Sequence, residues 1–330
     1  MIPDPHDPVP RREPFAKSVR EEQFLQRLNE CLREAELSES DSTIDVTSLP
    51  LIYVVGAPRS GTTLLYQLIC RHLPVAYINN LIARFWLRPS VGIRLSKALF
   101  GDGAKSTIAL QSKHGVTDGA AGPHEFGYFW RHWLQLDRSR THHLSAEELQ
   151  RLDHAGLKRA LEIEILASFA RPVAFKNVIC GFHASLLSGL HPASLFIHIT
   201  RDAYATAASI LNTRKDRYGS YSTWWSLKPS TYPFGALADN PAGEVVQQVV
   251  DCRREIEEEL ARPGVRAHRI EYESLCQDPE GVLLSICHRI QECGISVDLI
   301  SQDIPELITS PASALPEDLE RKLRQGLEGS

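Results

Sequence analysis

The run Gly56-Ala57-Pro58-Arg59-Ser60-Gly61-Thr62-Thr63-Leu64-Leu65 limits what this chain can become. The apolar stretch before it, Leu51 to Val55, predicts a buried parallel strand. Behind it, Leu64, Leu65, Leu68 and Ile69 recur at helical spacing. Strand, glycine-containing loop and helix make a cradle for an anion. The loop amides point inward, and the helix N-terminus adds about half a positive charge.

The spacing Gly56-x4-Gly61 is that of the phosphate loop GxxxxGK[ST] of NTPases. Thr62 stands in the lysine slot, however, and a cation comes earlier, at Arg59. The NTPase lysine reaches the β- and γ-phosphates, so its loss argues against triphosphate hydrolysis. A loop with an early cation and two threonines still suits an oxyanion.

The segment Pro58 to Thr63 resembles the 5′-phosphosulfate loop of the sulfotransferases that use 3′-phosphoadenosine 5′-phosphosulfate (PAPS). In that family the loop cation is Lys or Arg. A second predicted strand, Leu195 to Ile199, runs into Arg201-Asp202 and then a helix. The family binds the 3′-phosphate with an Arg at a strand end and a Ser eight residues on, and Arg201 and Ser209 have that spacing. Arg269 to Leu275, followed by Asp278-Pro279, is similar to the family's C-terminal strand, with Ser274 in place of its usual Asp. The stretch from Phe175-Lys176-Asn177 to Pro192 resembles the bacterial and Golgi-type branch. The resemblance covers Leu51 to Leu284.

It implies a three-layer α/β/α domain with a central, mostly parallel sheet, like the P-loop nucleotide-binding folds. It also implies in-line transfer of a sulfuryl group from PAPS, leaving PAP, to a hydroxyl in preference to an amine, with no metal required. Arg59, Ser60, Gly61, Thr62 and Thr63 are expected on the 5′-phosphosulfate, and Arg201 with Ser209 on the 3′-phosphate. Lys176, at a strand end, is either a second catalytic cation or a surface lysine. The base is expected at His124 or Glu125, in a glycine-rich loop before the aromatic run Phe126, Tyr128, Phe129, Trp130, Trp133. Glutamate-base members often place that residue shortly after the first helix, where this chain has Tyr77-Ile78-Asn79-Asn80. The chain also has Leu64 where cytosolic members often have Trp, and no equivalent of their C-terminal Arg-Lys-Gly element. His183, His191 and His198 read as structural. Trp224-Trp225, with Tyr218, Tyr221 and Tyr232, either lines an acceptor site or pins its own loop. The rival readings are a non-catalytic PAP-binding protein and a P-loop kinase or NTPase.

Lys and Arg number 36 against 41 Asp and Glu, a net charge of −5, which argues against nucleic acid as a partner. Positive potential must then be local. The seven cysteines show no CxxC spacing and read as reduced, packed thiols. No stretch of about eighteen apolar residues exists to span a membrane. Golgi members of the resembled family usually carry such a span, so its absence, with a Pro- and charge-rich N-terminus, predicts a cytoplasmic bacterial enzyme, with a small-molecule, glycan or lipid acceptor all open. Neither the acceptor nor the oligomeric state is legible.

Along the chain, residues 1–49 read as a tail and docking helix, 50–300 as the sulfotransferase domain and 301–330 as a charged tail. Residues 1–13 are expected to be mobile, and Ser18 with Glu21 to open an amphipathic helix. Ser145 with Glu148 opens another, running toward Phe169 and weakened at Gly156. Arg214 to Pro241 reads as a long functional loop, and Glu257-Glu258-Glu259 as a solvated face. A loosely docked helix is expected from Pro316 to Leu327.

Overall fold

The structure is a computed structural model. It describes residues 11–13, 15–34, 45–101, 105, 108–110, 117–137, 140–233, 239–301, 303–309 and 314–329. In chain order the first elements are α1 (Val19–Glu34), β1 (Leu51–Val55), α2 (Thr62–His72), β2 (Ala76–Tyr77), α3 (Pro89–Phe100) and α4 (Gly127–Trp133). Next come α5 (Ala146–Gln150), α6 (His154–Arg159), β3 (Val173–Lys176), α7 (Ala184–Leu190) and β4 (Ser194–Thr200). The chain continues with α8 (Ala203–Tyr218), α9 (Pro241–Leu260), β5 (Arg266–Glu271), α10 (Tyr272–Gln277), α11 (Pro279–Gln291) and α12 (Glu317–Glu328).

The five strands form one sheet in the order β2-β3-β1-β4-β5, and each pairing is parallel. Alternate residues of β1 serve opposite faces. Leu51, Tyr53 and Val55 pack with α4, α7 and α9, while Ile52 and Val54 pack with α2, α10 and α11. Both faces are therefore covered, which makes the three layers and explains why the central strands read as unbroken apolar runs. In-register Phe175, Tyr53 and Phe196 stack across three strands, at 5.6 and 4.9 Å between ring centroids. Each such pair is worth about 0.5–1.5 kcal/mol beyond its buried area.

Several boundaries differ from the sequence reading. The Ser145 helix breaks at Arg151–Asp153, before Gly156. Asp153 restarts it by accepting the Gly156 N–H at 2.8 Å, and a Cβ on Gly156 would lie 2.2 Å from that carboxylate. Beyond α6 the helix widens to π geometry over Ala160–Ala167. α8 runs to Tyr218, so the long loop starts at Gly219 (φ +76°) and not at Arg214. Arg214 is instead fully buried, paired with Glu244 and bonded to Gln248. Glu259 is buried and accepts from the Ser185 amide, so the acidic run is not all solvated. Leu323 of α12 is buried against α8 and α9, a firm dock. Residues 1–10 of the expected mobile tail lie outside the described residues, but the Arg12 N–H donates to the Arg217 carbonyl at 2.7 Å.

Candidate active site

A parallel sheet delivers all its strand ends to one edge, the usual place for a ligand crevice. Here β1 ends in the glycine loop, β3 in Lys176-Asn177, β4 in Arg201 and β5 in Tyr272. The loop has no room for larger residues at its two glycines. A Cβ at Gly56 would fall 2.4 Å from the Ile199 carbonyl oxygen. At Gly61, φ is +100° and a Cβ would fall 2.4 Å from the Tyr272 ring. Gly61 caps α2 without a side-chain hydrogen bond, which leaves the first-turn amides of Thr62 and Thr63 to an incoming acceptor. Arg59 sits in the left-handed region at φ 69°, a costly conformation that turns its side chain out of the loop.

That side chain crosses to α8, where Arg59 Nε–H donates to Ser209 Oγ at 2.9 Å. Burial pulls the Arg59 guanidinium below its ordinary range, and the charges of Arg201 and Arg217 pull it further. Arg201 lies over the Tyr272 ring, 4.4 Å from its centroid.

Lys176 is 4% exposed, so it is no surface lysine, and it pairs with Glu125. The Asn177 side-chain amide donates to the Glu125 carbonyl at 3.0 Å, so the end of β3 holds this glutamate by both side chain and backbone. Glu125 is 46% exposed and opens into the cleft. The surrounding protein at the cleft floor pushes its carboxyl up, but the Lys176 ammonium outweighs this, Arg217 adds to the pull, and the net direction is down. Glu125 is thus an ionised carboxylate at the cleft floor.

His124 differs. Its Nδ1 accepts the Phe126 N–H at 2.8 Å, so the neutral ring carries its proton on Nε2. Burial pushes its pKa down to about 4. His124 is therefore a neutral donor, while Phe126 takes a left-handed turn (φ 55°) and buries its ring on Phe129.

These groups share one cavity of about 1090 Å³. Its wall includes Arg59, Gly61, Thr62, Thr63, Lys176, Glu125, His124 and Arg201. Ser60 and Ser209 lie behind that wall, both buried. Trp224, Trp225, Tyr218 and Tyr232 line it, whereas Tyr221 does not. The wall carries eight Lys and Arg side chains (Arg11, Lys17, Arg59, Arg131, Lys176, Arg201, Arg217, Lys228) against the single carboxylate of Glu125 among the described residues. In a chain of net charge −5 this is a focused positive field, suited to a polyanion. Reasoning from sequence missed Asn177, Tyr272, Arg217 and the N-terminal residues Arg11 and Lys17. Arg217 could have been found: it lies eight residues past Ser209, as Ser209 does past Arg201. His183, His191 and His198 are buried away from the cavity wall.

The fold and this cavity suit an enzyme that handles an anionic ligand. A model of the sulfotransferase family matches residues 50–295, and the chain belongs to that family. The chain is 28% identical, over 282 residues, to the omega-hydroxy-beta-dihydromenaquinone-9 sulfotransferases of Mycobacterium bovis and Mycobacterium tuberculosis. The alignment covers 79% of this chain and 68% of each relative. A crystal structure of a sulfotransferase from Mycobacterium tuberculosis H37Rv aligns over 94% of this chain and 80% of its own, at 14% identity and a TM-score of 0.44. Among the described residues no helix is long and apolar enough to cross a membrane.

Proposed function

We propose that this enzyme moves a sulfuryl group from PAPS to a hydroxyl on an apolar or amphipathic acceptor. The observation that carries this reading is the Lys176–Glu125 pair, which faces the Arg59 loop across one cavity. Arg59, Thr62, Thr63 and the loop amides would hold the 5′-phosphosulfate, with Gly61 giving the close approach. Ser60 would support the loop from beneath. Arg201 and Ser209 would hold the 3′-phosphate, the group that separates PAPS from ADP. Crowding Arg59, Arg201 and Arg217 is unfavourable until an anion lies among them, and this fits a ligand with several negative charges.

Glu125 would take the acceptor's proton, since it is the ionised carboxylate of the cavity. Lys176 would steady the charge that develops as the sulfuryl group leaves. His124 would donate from Nε2 rather than act as base. Trp224, Trp225, Val178, Ile179 and Leu227 give the cavity an apolar side. That side, and the lipid quinone named for the mycobacterial relatives, support a hydrophobic acceptor over a saccharide.

Thermal denaturation with PAP, ADP and ATP–magnesium tests the donor. At about a hundred times its dissociation constant, a ligand adds about 2.7 kcal/mol. We expect PAP to stabilise the protein more than ADP does, with the difference lost in Arg201→Ala. Equal effects of PAP and ADP, or stabilisation by ATP–magnesium alone, would overturn the reading.

A further inference from the structure

Arg217, near the end of α8, has no counterpart in the motifs that marked the donor site. It is 6% exposed and borders the cavity. Two rings hold its guanidinium: Phe15 at 5.0 Å and Trp225 at 5.6 Å to the centroids. Phe15 belongs to the segment before α1, which the Arg12 N–H fastens to the Arg217 carbonyl at 2.7 Å. Trp225 belongs to the loop after α8. Two separate parts of the chain thus close on one arginine. Ring contacts engage the faces of a guanidinium and fix its plane, while its donors radiate from the edge.

The same charge reaches both halves of the site. Arg217 pulls down the Arg59 guanidinium on the loop and the Glu125 carboxyl on the cleft floor. Arg217 also borders the same cavity as Arg59 and Glu125, so this buried, ring-clamped cation faces the space in which donor and acceptor would meet.

We propose that Arg217 is a further catalytic residue, whose guanidinium contacts the sulfuryl group of the donor, and that Phe15 and Trp225 are its positioning residues. This rests on the PAPS reading above. In the transfer, the acceptor oxygen bonds to sulfur as the bond from sulfur to the phosphate oxygen breaks. The electron pair leaves on the 5′-phosphate of PAP, and the acceptor proton goes to Glu125. Arg217 keeps its protons throughout and spreads the charge on the sulfuryl oxygens.

PAP lacks the sulfuryl group, so comparing PAP with PAPS isolates the contact. Isothermal titration of both nucleotides without acceptor, into wild type and variants, tests it. Arg217→Ala should weaken PAPS at least about tenfold, the scale of a lost charge-assisted hydrogen bond, and leave PAP within about threefold. Arg217→Lys, which keeps the charge, should recover part of the loss. Phe15→Leu should lower the PAPS-to-PAP affinity ratio in the same direction by a smaller factor, a change that loosened packing alone does not produce. Arg201→Ala should weaken both nucleotides alike. An unchanged ratio in Arg217→Ala and Arg217→Lys overturns the proposal. Failure of wild type to bind either nucleotide overturns the donor reading itself, and the proposal with it.

Discussion

Arg59 Nε–H donates to Ser209 Oγ at 2.9 Å, joining the glycine loop to α8 across 150 residues of sequence. The loop cation and the serine expected at the 3′-phosphate are therefore one unit. Ser209→Ala should weaken PAP about tenfold, the scale of one hydrogen bond to a charged group. ADP should weaken by a smaller factor, through the loosened Arg59 alone. Titration of both nucleotides decides the point, and equal losses would leave Ser209 as a tether only.

The Lys176–Glu125 pair sets a pH dependence. The Glu125 carboxyl lies below its ordinary 4.5, so the proposed base stays ionised through neutral pH and is lost only as pH falls through that depressed value. In Lys176→Met the upward push of burial loses its main opponent and only the weaker pull of Arg217 remains. The acid limb of turnover should then move to higher pH. Glu125→Gln should cost about 10²–10⁴ in turnover with PAP binding kept. An acid limb that stays in place in Lys176→Met would assign the proton to another group.

His183 makes the fold sensitive to acid. Its Nε2 meets the His142 carbonyl at 3.0 Å, and burial pushes its pKa from 6.5 down to about 4. The folded state holds the neutral ring. That stability is fully present above 6.5 and is lost as pH falls from there to about 4. Between about pH 7 and 5 the loss is about 2 kcal/mol for this ring alone. His183→Asn keeps a donor for the carbonyl and should narrow the stability gap between the two pH values by about that amount, read from urea unfolding.

The aromatic loop is fastened from below. Glu255, almost fully buried, accepts from the Ser230 amide at 2.9 Å, from its hydroxyl at 2.6 Å and from His143 at 2.8 Å. Asp251 accepts from Thr231 at 2.5 Å. Glu255→Ala orphans the Ser230 amide, at a cost of about 1–3 kcal/mol. Because α9 holds the loop that bears Trp224, this variant should raise the acceptor KM several-fold and leave PAP affinity unchanged. Steady-state kinetics with an accepted alcohol, set beside PAP titration, would show otherwise if the loop does not touch the acceptor.

The cradle at the strand ends was legible in the sequence because its signals are local. A glycine spacing, an apolar run and an Arg–Ser interval each lie within a few turns of chain, and the strands β1, β3 and β4 follow from apolar runs alone. The Lys176–Glu125 pair was not legible, although both residues were named. Their contact depends on which strand β3 neighbours, a matter of long-range register. The ring clamp on Arg217 was hidden for the same reason, since Phe15 lies some two hundred residues before it. The end of α8 was misplaced because the polar run Arg214 to Tyr218 looks like loop, while Arg214 and Arg217 both point inward and are buried.

The cavity draws its two halves from different stock. Arg59, Thr62, Lys176 and Arg201 stand at the ends of central strands, where any change disturbs the sheet. Arg11, Lys17, Tyr128, Trp224 and Tyr232 come from segments laid over that edge from three remote stretches of chain. The overlying wall can therefore change without disturbing the sheet, but Phe15 and Trp225 travel in the same segments, so a new wall must still bring two rings to Arg217.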